Sequence, residues 1–117
     1  MDRRSVTNHR YVGRFAPSPT GPLHFGSLVA ALASYLDAKA NSGRWLVRIE
    51  DLDPPREVTG SSTLILKQLQ ALGMNWDDDV LYQSTRFSAY ERILQQLENR
   101  EYCFNCDCSR QRVSGLQ

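Results

Sequence analysis

The chain has 117 residues, of which 41% are hydrophobic and 23% charged, and its formal net charge is +1. These values fit one globular domain with a modest core, and they give no sign of a strongly basic nucleic-acid-binding protein. No apolar run approaches the roughly eighteen residues of a membrane-spanning helix.

Residues 1–10 are polar and lack the apolar stretch of a secretory leader. They read as a tail, with a short organelle-targeting leader as the alternative because of Arg3, Arg4 and Arg10. Twelve Arg stand against two Lys. Arg forks suit carboxylate and phosphate, although ordinary surface charge is the plainer account of many of them.

Residues 11–16, YVGRFA, form a short apolar run that reads as a strand. A loop rich in Pro and Gly follows. Then Leu28, Ala31, Leu32, Tyr35 and Leu36 recur at helical spacing, with Ser27 as the expected cap and Gly43 just past the end. Arg44 to Glu50 reads as a second strand, so the order strand, helix, strand predicts a parallel pair. Asp51 to Arg56 must be a loop, since Pro54 and Pro55 cannot donate to a ladder. A second helix is expected over residues 60–72, with Leu64, Leu69 and Leu72 along one stripe and Gly73 as its stop. Residues 80–83 suggest a third strand, and Ser88 opens a third helix carrying Tyr90, Ile93, Leu94 and Leu97.

The loop and the helix start after the first strand read RFAPSPTGPLHFGS, Arg14 to Ser27. A strand, a glycine-containing loop and a helix N-terminus can together hold an anion, because free N–H groups and the helix dipole point at it. His24 can donate to a phosphate oxygen, and Gly26 leaves room for a nucleotide. The spacing is not that of a P-loop, so a purely structural turn stays open. Arg14 and Glu50 end successive parallel strands, at the edge where open α/β sheets bind ligands. An Arg fork and a carboxylate facing one pocket suit a substrate with both a carboxylate and an ammonium group. An Arg14–Glu50 ion pair, or two unrelated surface charges, are the alternatives. The three cysteines, Cys103, Cys106 and Cys108, are odd in number and clustered, which argues against a disulfide framework. They could chelate a soft metal such as zinc or be plain thiols.

RFAPSPTGPLHFGS resembles the first signature of the class I aminoacyl-tRNA synthetases, the HIGH motif, with its core at His24-Phe25-Gly26-Ser27. The resemblance implies that Pro17, Ser18, Pro19, Thr20, Gly21, Pro22, Leu23, His24, Phe25, Gly26 and Ser27 bind ATP with its Mg2+. It also implies that His24, Gly26 and Ser27 are catalytic, His24 steadying the phosphates as pyrophosphate leaves. Ser27 stands where the motif has a second His. Taken with RIEDLDPPR, residues 48–56, the resemblance narrows to the glutamate branch. There Arg14 would read the substrate carboxylate, Phe15, Ala16, Pro17 and Ser18 would shape the pocket, and Glu50 would hold the α-amino group.

Ser27 to Leu32 and Glu50 to Val58 are similar to a subgroup of that branch, the glutamyl-queuosine tRNA(Asp) synthetases. These activate L-glutamate without tRNA and attach it to the queuosine base at the wobble position of tRNA(Asp). An ordinary glutamyl-tRNA synthetase, or a truncated non-catalytic module binding nucleotide or zinc, are the alternatives. In that subgroup a Cys-x-Cys pair matching Cys106 and Cys108 holds Zn2+ with two later ligands that this chain does not include.

The resemblance implies an α/β fold, a Rossmann-like parallel sheet with flanking helices, of which this is the N-terminal part. Its expected parts are a tail at 1–10, half of the catalytic domain at 11–100 and the start of a zinc-binding insertion at 101–117. The KMSKS loop of the family lies outside the chain. The fragment alone is expected to be inactive and prone to self-association. The full-length enzyme is expected to be a cytoplasmic monomer.

Overall fold

The computed structural model describes residues 10–116, so the expected tail lies almost wholly outside the described residues. Two compact units divide at Thr85 and Arg86. The first contains strands β1 (Val12–Phe15), β2 (Arg44–Ile49) and β3 (Leu81–Tyr82) with helices α1 (Phe25–Ala40) and α2 (Ser61–Ala71). The second contains helices α3 (Phe87–Asn99) and α4 (Arg110–Ser114).

The three strands are parallel in the order β1-β2-β3, with Gly13 opposite Trp45 and Ile49 opposite Tyr82. The predicted Rossmann-like α/β arrangement is therefore present. Strand alternation places Gly13, Phe15, Trp45, Val47 and Ile49 on one face, where all are buried. Val12, Arg14, Arg44, Leu46 and Arg48 share the other face and are exposed or half-buried. The core joins the first face to Ala31 and Ala38 of α1, Ile65 and Leu69 of α2, and Met74.

Trp45 sits at the centre of this core and is fully buried. Its ring lies nearly parallel to Phe15, with centroids 6.3 Å apart, and meets Tyr35 edge-on at 5.2 Å. Its indole N–H donates to Ser34 Oγ at 2.9 Å, which satisfies the one polar group the ring carries inside. Above it α1 approaches closely. A Cβ at Gly13 would stand 3.2 Å from both the Ala38 Cβ and the Ser34 carbonyl, so only glycine fits without moving the helix.

The structure corrects three details of the sequence reading. First, α1 starts at Phe25 and is capped by His24, not Ser27. Second, of the expected α1 stripe Ala31 is buried and Tyr35 packs on Trp45, with Ala38 added, while Leu32 and Leu36 are exposed, because the closest approach of the helix to the sheet leaves room only for small side chains. Third, α2 buries Ser61, Ile65 and Leu69, spaced by four residues, and leaves Leu64 and Leu72 outside. The expected loop at 51–56 holds a single 3-10 turn at Pro54–Arg56.

In the second unit, α3 has its apolar residues on one stripe, yet none is buried. Ser109 caps α4 by accepting from the Arg112 N–H. Among the described residues no helix is long and apolar enough to cross a membrane.

The start of β2 is held by Asp77. Its carboxylate accepts from the Trp45 N–H at 2.8 Å, its own N–H donates to the Trp45 carbonyl at 2.8 Å, and Lys39 lies 3.4 Å away. The Trp45 N–H, helped by Lys39, holds the Asp77 carboxyl below the usual carboxylate range. A lowered folded-state pKa contributes stability that is present at neutral pH and lost as pH falls through that value. Asp77→Asn should therefore lower the urea midpoint at pH 7, and the gap to the parent chain should narrow in acid. Equilibrium urea unfolding of both chains at pH 7 and pH 3 checks this.

Candidate active site

The motif segment wraps a cleft of about 440 Å³ at the N-terminus of α1, lined by Phe15 to Ser18, residues 20–24, Gly26, Ser27 and Ala30. The end of β1 delivers the chain into this loop. The loop is then tied on three sides. The Glu50 N–H donates to the Pro17 carbonyl at 2.9 Å, and the Val58 N–H donates to the Pro19 carbonyl at 3.0 Å. The Leu23 N–H donates to Gln68 Oε1 at 3.0 Å.

His24 caps α1. Its Nδ1 accepts from the Ser27 N–H at 3.3 Å, and its Nε2 lies 3.1 Å from Ser27 Oγ. A neutral imidazole whose Nδ1 accepts has its proton on Nε2. His24 therefore presents an N–H donor at the helix start, with the Ser27 hydroxyl as its resting partner. The other free N–H groups of the first turn and the helix dipole add positive potential there. A Cβ at Gly26 would stand 3.2 Å from the imidazole of His24, so glycine keeps that ring in place. Gly26 thus leaves the imidazole room, a contact its place in the sequence pattern does not reveal.

Not all predicted residues meet in this cleft. Pro19 is buried behind the loop, and Phe25 is 82% exposed beside an apolar groove of about 330 Å³ with Leu28, Val29, Leu32, Leu72 and Met74. Arg14 is exposed and lines a separate, open cleft of about 700 Å³ with Tyr11, Ser34 and Asp37. There the Tyr11 hydroxyl donates to Asp37, and this hydrogen bond, with the carboxylate's charge in addition, raises the phenol pKa.

The ion pair of Glu50 is with Arg48, at 2.6 Å, and not with Arg14. Residues 48 and 50 are two apart on an extended chain, so they share a face. That spacing was the available signal for Arg48, which sequence reasoning passed over. Alternation and register set Arg14, Arg48 and Glu50 on the same side of the sheet at its C-terminal edge.

The cysteines lie in the second unit. Cys103 is half-buried, and Cys106 and Cys108 are exposed free thiols. Among the described residues no group of three or more His, Cys, Asp or Glu converges as metal donors. A structural zinc site needs four ligands, and the residues present do not make one.

A parallel sheet whose first strand runs through a glycine-bearing loop into a helix N-terminus is the arrangement of α/β proteins that hold ligands at the C-terminal edge of the sheet. Residues 11–117 match the family described as tRNA synthetases class I (E and Q), catalytic domain, and the chain belongs to that family. It is 58% identical over 108 residues to a protein named glutamyl-Q tRNA(Asp) synthetase from Pectobacterium atrosepticum, covering 92% of this chain and 34% of the relative. A protein of the same name from Idiomarina loihiensis is 61% identical over 103 residues, covering 88% of this chain and 36% of the relative. Among solved structures, a glutamate-tRNA synthetase from Elizabethkingia anophelis superposes with a TM-score of 0.73 at 40% identity, covering 77% of this chain and 20% of that one. The chain thus spans about a third of the length of the curated relatives it matches.

The Cys106 thiol pKa is lowered, first by the backbone N–H of Cys108 and then by its thiol. Thiolate is the reactive form. Iodoacetamide at pH 7 should therefore label Cys106 faster than Cys103, which is half-buried, as read by time-resolved peptide mass mapping.

Proposed function

We propose that this chain forms the first part of the catalytic domain of an enzyme that activates L-glutamate with ATP. It then transfers the glutamate to the queuosine base at the wobble position of tRNA(Asp). The observation that carries this reading is the cleft at the α1 N-terminus, which gathers the loop from Phe15 to Ser27 around a histidine N–H donor. The adenylate-forming step places negative charge on the departing pyrophosphate, and a helix start with its N–H groups free is suited to meet it. His24 and the first turn of α1 are proposed to face the phosphates, and Gly26 to keep the imidazole aligned.

Glutamate is proposed to lie at the C-terminal edge of the sheet. Arg14 would take its side-chain carboxylate and Glu50 its α-amino group. The Arg48 guanidinium holds the Glu50 carboxylate in the meantime. Phe15, Ala16, Pro17 and Ser18 would bound the space between the two substrates. Residues 11–100 would supply this half of the domain, and residues 101–117 would begin the segment that follows it. Mg2+ is proposed to arrive with ATP. Cys106 and Cys108 could supply at most half of a four-ligand zinc set.

The queuosine assignment over an ordinary glutamyl-tRNA synthetase is supported by relative identity. The relatives bearing the queuosine-enzyme name are 58% and 61% identical, against 40% for the solved glutamate-tRNA synthetase.

The test is glutamate-dependent ATP–pyrophosphate exchange by the native-length gene product. Exchange without tRNA is the expected result, and exchange only after tRNA is added would assign an ordinary glutamyl-tRNA synthetase instead. His24→Ala should lower the exchange rate by about a hundredfold or more, the scale of losing one donor to developing charge. Glu50→Gln should raise the KM for glutamate by about tenfold or more, the scale of a charge-assisted hydrogen bond.

A further inference from the structure

We propose that Ser61 and Gln68 of α2 are positioning residues for the nucleotide loop, setting the affinity for ATP without touching it. This rests on the reading of the loop as an ATP site. Ser61 is 2% exposed and is the one buried polar residue among the described residues. Its hydroxyl accepts from the Gly21 N–H at 2.9 Å and donates to the Gly21 carbonyl at 2.8 Å. A serine in the first turn of a helix ordinarily bonds its own backbone. Here both directions of the hydroxyl are used on one distant glycine, forty residues away in sequence.

Gln68 lies two helical turns further along α2 on the side of Ser61, and its Oε1 takes the Leu23 N–H at 3.0 Å. The two side chains grip alternate residues of the loop, Gly21 and Leu23. Leu23 immediately precedes His24, the cap of α1. Gly21 has φ of +141°, a conformation that L side chains rarely adopt, so the turn gripped by Ser61 needs glycine at this position. Gly21, Pro22 and Leu23 line the cleft. Among the described residues, neither Ser61 nor Gln68 hydrogen-bonds to Arg14 or to Glu50. The clamp therefore acts first on the nucleotide side of the site, through Gly21 and Leu23 next to His24.

The experiment compares Gln68→Met, Gln68→Glu and Ser61→Ala with the parent in pyrophosphate exchange by the native-length gene product. Gln68→Met keeps the length and loses the acceptor, whereas Gln68→Glu keeps an acceptor oxygen. Gln68→Met and Ser61→Ala should each raise the KM for ATP by about three- to tenfold, the scale of one lost hydrogen bond. The KM for glutamate should stay unchanged, and Gln68→Glu should restore the parent value for ATP. Amide hydrogen exchange should become faster at Leu23 in Gln68→Met and at Gly21 in Ser61→Ala.

An equal rise in both KM values with a lowered melting temperature would overturn the positioning role in favour of general structural support. Unchanged ATP KM in both deletion variants would overturn it outright. A parent protein that shows no exchange at all would instead overturn the functional reading on which the proposal rests.

Discussion

The close approach of α1 to the β1–β2 pair at Gly13 is the constraint on which the rest of the first unit depends. With no side chain at Gly13 and only methyl groups at Ala31 and Ala38, the helix can lie directly on the sheet over Trp45. Trp45 in turn ties the two layers together through Ser34 on α1 and through Asp77 at the start of β2. The consequence is directional. A helix seated at this depth and angle starts beside the end of β1, so the chain between them has no choice but to form a short loop at the sheet edge.

That loop derives its shape from outside itself. Its backbone groups are bonded to Glu50 past β2, to Val58 before α2, and to Ser61 and Gln68 on α2. Internal hydrogen bonding is sparse, with Thr20 to Ser18 as the local turn contact. A loop held in this way can keep the N–H groups of the next helix turned toward a ligand instead of toward itself. The same logic explains Gly26, whose missing side chain protects the orientation of the His24 ring.

The two faces of the sheet differ in kind. One is a packed apolar layer, and the other carries Arg14, Arg44 and Arg48 among Val12 and Leu46. Fully parallel sheets normally have both faces covered by helices. Here α1 and α2 both contribute to the core on a single side. In the second unit, the apolar stripe of α3 is likewise exposed along its length. These surfaces accord with a chain that spans about a third of the length of its relatives.

By itself the sequence determined the order of elements, the parallel βαβ unit and the identity of the loop. Those follow from local information: apolar periodicity, the breakers Pro and Gly, and the spacing of RFAPSPTGPLHFGS. It also singled out His24 and Gly26, through the resemblance of that stretch to the HIGH motif. Tertiary structure alone decided which helix face turned inward. The expected stripes included Ala31 and Leu69, which are buried, but also Leu32, Leu36, Leu64 and Leu72, which are exposed, while depth of packing added Ala38 and Ile65 to the core. Tertiary structure also decided the partners of Gly21 and Leu23. Hydrogen bonds between groups forty or more residues apart depend on where α2 comes to rest, and no local pattern in the chain records that.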